Sequence, residues 1–129
     1  MSATVLIADD HEDLRVITRA LLEHHGYRVI EAVNGSEAVE QARLEQPTVI
    51  LMDIAMPVMD GVAAAEILRG HPATAAIPIA ALTAMPIIPK PTLFDAFLGK
   101  PVAIDKLLEA VGRLANGESR RRHDVKRRH

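Results

Sequence analysis

The run PTVILMDIAMPVMDG, residues 47–61, decides how the rest of the chain is read. Pro47 closes what precedes it. Thr48, Val49, Ile50, Leu51 and Met52 read as the interior of a strand buried on both faces. Then the run meets Asp53. A carboxylate at the end of a buried strand is costly to desolvate unless something compensates it. Residues 56–61 form a loop, and its Asp60–Gly61 pair is a common turn signal.

The same pattern recurs outward from this stretch. Strands are expected over 4–8, 27–32, 78–82 and 96–98, besides 48–52. Between them lie helical patterns. Residues 12–25 carry Leu14, Ile17, Leu21 and Leu22 at helical spacing and stop at Gly26. The turn at Asn34, Gly35 and Ser36 leads into a helix through Leu44, and a further helix covers 62–69. A closing helix covers 102–114, with Ile104, Leu107, Leu108 and Val111 expected inward. Alternating strands and helices predict an α/β fold, a doubly wound five-stranded parallel sheet with helices on both faces. One crossover is different. Pro86, Pro89 and Pro91 punctuate the segment between Leu82 and Asp95, and proline both removes a helix hydrogen bond and clashes with the preceding turn. Extended or irregular chain is expected there, with at most one helical turn.

In doubly wound sheets, ligands sit outside the carboxyl ends of the strands. Asp9 and Asp10 follow the first strand, Asp53 the third, Thr83 the fourth, and Lys100 the fifth. Three carboxylates gathered at one rim would repel one another, and a hard divalent cation with oxygen ligands relieves this. Taken alone, Asp9 and Asp10 also suit a helix N-terminus, where the dipole favours acids. With Asp53 and Lys100 beside them, the set matches phosphoryl transfer: a carboxylate nucleophile, a cation, a lysine and a hydroxyl. His11 reads as surface beside the acidic pair, not as a ligand, and His24 and His25 as a helix end.

Composition sets the frame. The chain has 129 residues, is 49% hydrophobic, and has Tyr27, Phe94 and Phe97 as its whole aromatic set. It has no cysteine, so disulfides and thiolate metal sites are excluded, and a cytoplasmic setting fits. The first eight residues suggest neither a signal peptide nor a membrane span. The net charge of −2 hides an acidic body over 1–116 and a basic segment over 117–129. One domain is expected over 1–116, followed by a disordered tail. That tail lacks aromatic interleaving, so it is not read as a sequence-specific nucleic-acid binder.

Taken in order, VLIADDHED, LMDIAMPVMDG, ALTA and FLGKP resemble the receiver domain of two-component response regulators, of the single-domain, chemotaxis-regulator-like kind. The resemblance covers about residues 4–115. It implies a flavodoxin-like fold whose usual fourth helix is short or missing here. It implies Mg2+, bound by Asp9, Asp10, Asp53 and the backbone carbonyl of Ala55. Asp53 would accept a phosphoryl group from a phosphohistidine of a histidine kinase or phosphotransfer protein, then hydrolyse it slowly. Thr83 and Lys100 would act beside it, and Thr83 with Phe97 would form the switch toward an unknown downstream protein. Ala55 and Met85 occupy the positions that flank the phosphoryl group in this family. Both are apolar and cannot orient water, so hydrolysis no faster than typical is expected. Such a chain is a signalling protein rather than an enzyme with an outside substrate. Two other readings stand beside it: a magnesium-dependent aspartyl-phosphate hydrolase of small phosphate esters, and a pseudo-receiver that is never phosphorylated.

Overall fold

The structure, a computed structural model of the chain, describes residues 3–119. Five strands, β1 (Thr4–Ala8), β2 (Arg28–Ala32), β3 (Val49–Asp53), β4 (Ile79–Thr83) and β5 (Ala96–Gly99), form one sheet. All pair in parallel in the order β2-β1-β3-β4-β5. Four helices connect or close them: α1 (Glu12–His24), α2 (Gly35–Glu45), α3 (Gly61–Arg69) and α4 (Ile104–Ala115). The chain winds from β1 outward to β2, then crosses back to β3. The strand order therefore reverses between β1 and β3, where Asp9 follows β1 and Asp53 ends β3.

Alternation along the strands divides the interior into two cores. Leu6, Ile50, Met52 and Ile79 pack on one face with Ala38, Ala42, Ala64 and Leu68 of α2 and α3. Val5, Ile7, Leu51 and Leu82 pack on the other with Leu22 of α1 and Leu107, Val111 and Leu114 of α4. Every residue of β3 and β4 is buried, which is why these stretches read as continuous apolar runs.

One inward assignment does not hold. Ile104 is 60% exposed, because it opens α4 at the helix's exposed end; the inward stripe begins at Leu107. In α1, Ile17 is 64% exposed and Leu14 also faces solvent. The sheet meets this helix through Leu21 and Leu22, so the apolar stripe turns away from it in the first two turns.

The proline-rich crossover is irregular, with a single 3-10 turn at Pro91–Leu93. Lys90, at positive φ, precedes that turn, and its ammonium pairs with Glu66 of α3 at 2.8 Å. The segment 117–129 lies outside the described residues except for 117–119. There the Glu118 N–H donates to the Arg113 carbonyl, and the Ser119 hydroxyl donates to Asp95. Among the described residues, no helix is long and apolar enough to cross a membrane.

Glu31 of β2 joins α1 to the sheet. Its carboxylate accepts from Arg19 at 2.6 Å and from Arg15 at 3.0 Å. The Arg19 hydrogen bond outweighs burial and, with Arg15, holds the carboxyl below its ordinary 4.5. A lowered folded-state value means stability that is present above the unfolded value and lost as pH falls through the folded one. Glu31→Gln is thus expected to cost about 1 kcal/mol or less at neutral pH. In urea titrations at stepped pH, the gap to wild type should close below pH 4.5. A gap that is constant down to strongly acid pH would contradict this.

Candidate phosphoryl-transfer site

Strand register brings the polar strand ends together. Asp53 pairs in register with Leu82, so Thr83 lies one residue beyond it on the neighbouring strand. Thr83 in turn pairs with Gly99, so Lys100 lies one residue beyond that. The Lys100 N–H donates to the Thr83 carbonyl at 2.8 Å, which anchors the chain where β5 ends. From there the Lys100 ammonium reaches back across the rim. It donates to Asp53 Oδ2 at 2.9 Å and stands 3.6 Å from Asp9 Oδ2. Pro101 follows through a cis peptide bond.

Asp53 is only 2% exposed, and Asp9 is buried beside it, while Asp10 is exposed. Burial pushes the Asp53 carboxyl above its ordinary range. The hydrogen bond and charge of Lys100 oppose that push, and Asp9 adds to it. Burial pulls the Lys100 ammonium down, but Asp53 and then Asp9 outweigh it and raise it. Three acids, Asp9, Asp10 and Asp53, thus face one lysine, an excess of two negative charges. One donor atom from each acid and one from His11 lie within 4.8 Å of one another. Clustered hard oxygen donors carrying this excess charge fit Mg2+.

The loops after β3 and β4 fold back on their functional side chains in the same way. The Ala55 N–H donates to Asp53 Oδ1 at 3.2 Å, and the Met85 N–H donates to Thr83 Oγ1 at 2.9 Å. Thr83 is buried. Phe97 is partly exposed and meets the buried Phe94 ring edge-on, with centroids 6.0 Å apart.

Gly61 explains how α3 starts so close to the end of β3. A Cβ there would overlap the Asp53 carbonyl oxygen and stand 3.0 Å from Ile54 Cα. Asp60 caps α3, its carboxylate accepting from the Ala63 N–H at 2.8 Å, which is the structural role its Asp–Gly setting suggests. Between them and Asp53 the chain is strained. Val58 has φ +68° and is 85% exposed, at the centre of a tight turn closed by a Met59 N–H to Pro57 carbonyl bond of 2.7 Å. A β-branched residue is poorly suited to this region, whereas asparagine tolerates it. Val58→Asn is expected to stabilise the fold by about 1 kcal/mol. The check is a higher urea midpoint at unchanged m-value; an unchanged or lower midpoint contradicts it.

Two residues of the site carried no strong sequence signal. His11 is exposed, as expected of a surface residue. Its Nδ1 nevertheless lies 2.9 Å from Asp9 Oδ1 and 3.3 Å from Asp10 Oδ1. Only its place directly after the acidic pair hinted at this. Arg15, one turn into α1, donates to the Asp9 carbonyl at 2.8 Å and ties it to Glu31. By contrast, His24 and His25 meet edge-on at the end of α1, and His25 Nδ1 donates to the Leu21 carbonyl at 3.0 Å.

Known proteins resemble this chain in sequence and in fold. Residues 5–112 match the family model of the response regulator receiver domain. The chain is 42% identical over 81 residues to Protein PilH of Pseudomonas aeruginosa, covering 63% of this chain and 67% of that one. It is 32% identical over 124 residues to the chemotaxis protein CheY of Bacillus subtilis, covering 90% of this chain and 100% of that one. The receiver domain of the sensor histidine kinase PA1611 from Pseudomonas aeruginosa PAO1, solved with a magnesium ion coordinated in its active-site cleft, superposes with a TM-score of 0.81. Identity to it is 27%, over 90% of this chain and 99% of that one. Sequence and fold agree over nearly the whole sheet and its helices, and the chain belongs to the response regulator receiver domain family of two-component systems.

Proposed function

We propose that this chain receives a phosphoryl group on Asp53 from a phosphohistidine of a histidine kinase or phosphotransfer protein, in the cytoplasm. Phosphorylation then changes the surface it offers to a downstream protein. The observation that carries this reading is the 2.9 Å pair between Lys100 and a buried Asp53 at a rim shared with Asp9 and Asp10. In the transfer, a carboxylate oxygen of Asp53 forms a bond to phosphorus. The P–N bond breaks, and the histidine nitrogen keeps the electron pair. Lys100 keeps Asp53 ionised beforehand and neutralises a phosphoryl oxygen afterwards. Asp9, Asp10, Asp53 and the Ala55 carbonyl would hold Mg2+, which supplies further charge neutralisation at the phosphoryl group. Thr83 gives up its bond from the Met85 N–H and donates its hydroxyl to a phosphoryl oxygen. Phe97 follows, at a half-exposed edge that moves without breaking the core. On this reading the chain is a signalling protein, not an enzyme with an outside substrate.

The test is incubation with Mg2+ and acetyl phosphate, followed by intact mass. One phosphoryl group is expected with Mg2+ and none with chelator, and beryllofluoride should shift amide resonances around Thr83 and Phe97. Absence of both effects overturns the proposal. A further expectation concerns loss of the group. Ala55 and Met85 are apolar and partly or fully exposed, so neither orients an attacking water. Ala55→Asn or Met85→Gln should change the hydrolysis rate of the acyl phosphate. Unchanged rates in both variants would contradict the role of these positions.

A further inference from the structure

His11 stands apart from the oxygen donors around it. Its backbone N–H donates to Asp9 Oδ1 at 2.9 Å, which fixes the residue against the acidic pair. Its Nδ1 lies 2.9 Å from the same oxygen and 3.3 Å from Asp10 Oδ1. Two donors at right angles around an ion bonded at about 2.1 Å stand roughly 3.0 Å apart. The contact to Asp9 is a hydrogen bond, and its length is also the spacing of neighbouring ligands once an ion takes the place of the shared proton. The His11 side chain is 60% exposed, so Nε2 can carry the proton toward solvent while Nδ1 turns to an ion. Oxygen donors suit Mg2+, Ca2+ and Mn2+, whereas imidazole favours Co2+, Ni2+, Cu2+ and Zn2+.

We propose that His11 adds a nitrogen ligand to the carboxylates of Asp9, Asp10 and Asp53, and so tunes this site toward borderline transition ions such as Zn2+ and Co2+. The proposal rests on the receiver reading of those three acids. Mg2+ gains little from the nitrogen and keeps its oxygen ligands. A borderline ion gains a bond that an oxygen-only site cannot supply. The site then discriminates among divalent ions through one exposed side chain, without altering Asp53 or Lys100.

The full chain can be titrated with Zn2+, Co2+ and Mg2+ separately, as wild type, His11→Ala and His11→Asn. Asparagine serves as a helix N-cap at this position and guards against loss of α1. The same three titrations in a His24→Ala, His25→Ala background remove the exposed imidazole pair at the other end of α1. Both His11 variants are expected to lose at least about tenfold in Zn2+ affinity while Mg2+ affinity stays within about threefold. Zn2+ should shift the His11 Nδ1 resonance in 15N spectra, and the Co2+ absorption band should change on loss of the nitrogen. Equal Zn2+ affinity in wild type and both variants, or an unmoved Nδ1 resonance, overturns the proposal while Mg2+ binding continues. Loss of Mg2+ binding from all three proteins would overturn the receiver reading with it.

Discussion

Exchange of Asp53 for alanine is expected to abolish phosphoryl labelling, and exchange of Lys100 for alanine to slow it by about 100-fold or more. Asp53 is the carboxylate that Lys100 meets at 2.9 Å; Asp9 is farther from the ammonium, at 3.6 Å. Asp53→Asn is the matched control. It keeps the shape of the side chain and one of the two acceptor oxygens that the Ala55 N–H and Lys100 use, but it cannot form an acyl phosphate. Wild type should therefore gain one phosphoryl group in mass, and both Asp53 variants none. The pH dependence follows from the raised Asp53 carboxyl, which burial lifts above its ordinary 3.8. Only the ionised form attacks, so labelling should fall on the acid side as Asp53 and the carboxylates expected to hold Mg2+ become protonated. The sign for stability is also set. A raised folded-state value is a contribution present below the unfolded value and lost as pH rises through the folded one. At neutral pH, ionised Asp53 therefore adds no such stability, and Asp53→Asn should unfold no earlier than wild type. Labelling that persists in Asp53→Ala would move the acceptor to another residue and overturn the assignment.

Much of this was legible because burial and position coincide. β1, β3 and β4 are buried on both faces, so their residues read as apolar runs whatever lies beside them. Each run is broken by a polar group at its carboxyl end, and parallel pairing makes those ends neighbours. The convergence of Asp9, Asp53, Thr83 and Lys100 needs no knowledge of side-chain contacts. The irregular 84–94 crossover was legible for a different reason, since proline excludes the alternative directly. What escaped was set by tertiary direction. Leu14 and Ile17 satisfy a helical stripe, yet in α1 Leu21 and Leu22 do the packing. Gly61 reads as half of a turn pair, while its main demand is space beside the Asp53 carbonyl. His11 and Arg15 act through ring and guanidinium geometry that spacing along a chain does not encode.

Arg69→Ala is expected to be the most destabilising substitution of those considered, costing about 3–5 kcal/mol. No periodicity links Arg69 to Asp95, 26 residues later, yet Asp95 is buried, the Arg69 side chain is only 9% exposed, and they meet at 2.6 Å. The guanidinium also donates to the carbonyls of Leu93 at 2.9 Å, Ala75 at 2.9 Å and Ile77 at 2.7 Å. On its other side, Asp95 Oδ2 accepts from the Ile79 N–H at 2.7 Å, and Oδ1 accepts from the Ser119 hydroxyl. One cation thus gathers the end of α3, the turns before β4, the 3-10 turn and the entry to β5. This is the region where a crossover helix would otherwise supply internal hydrogen bonds. Alanine would leave a buried carboxylate and three carbonyls without the donor they now share. Domains of this kind have about 5–15 kcal/mol in all, so the loss is a large fraction of the total. Lysine offers a compact ammonium in place of a planar fork and should rescue only part of it. Removing the charge on both sides, as Arg69→Met with Asp95→Asn, should cost less than Arg69→Ala alone, because no uncompensated charge remains. Urea unfolding of the four proteins decides it. A loss under about 1 kcal/mol for Arg69→Ala would rank this pair with exposed ion pairs and leave the proline-rich edge held by packing alone.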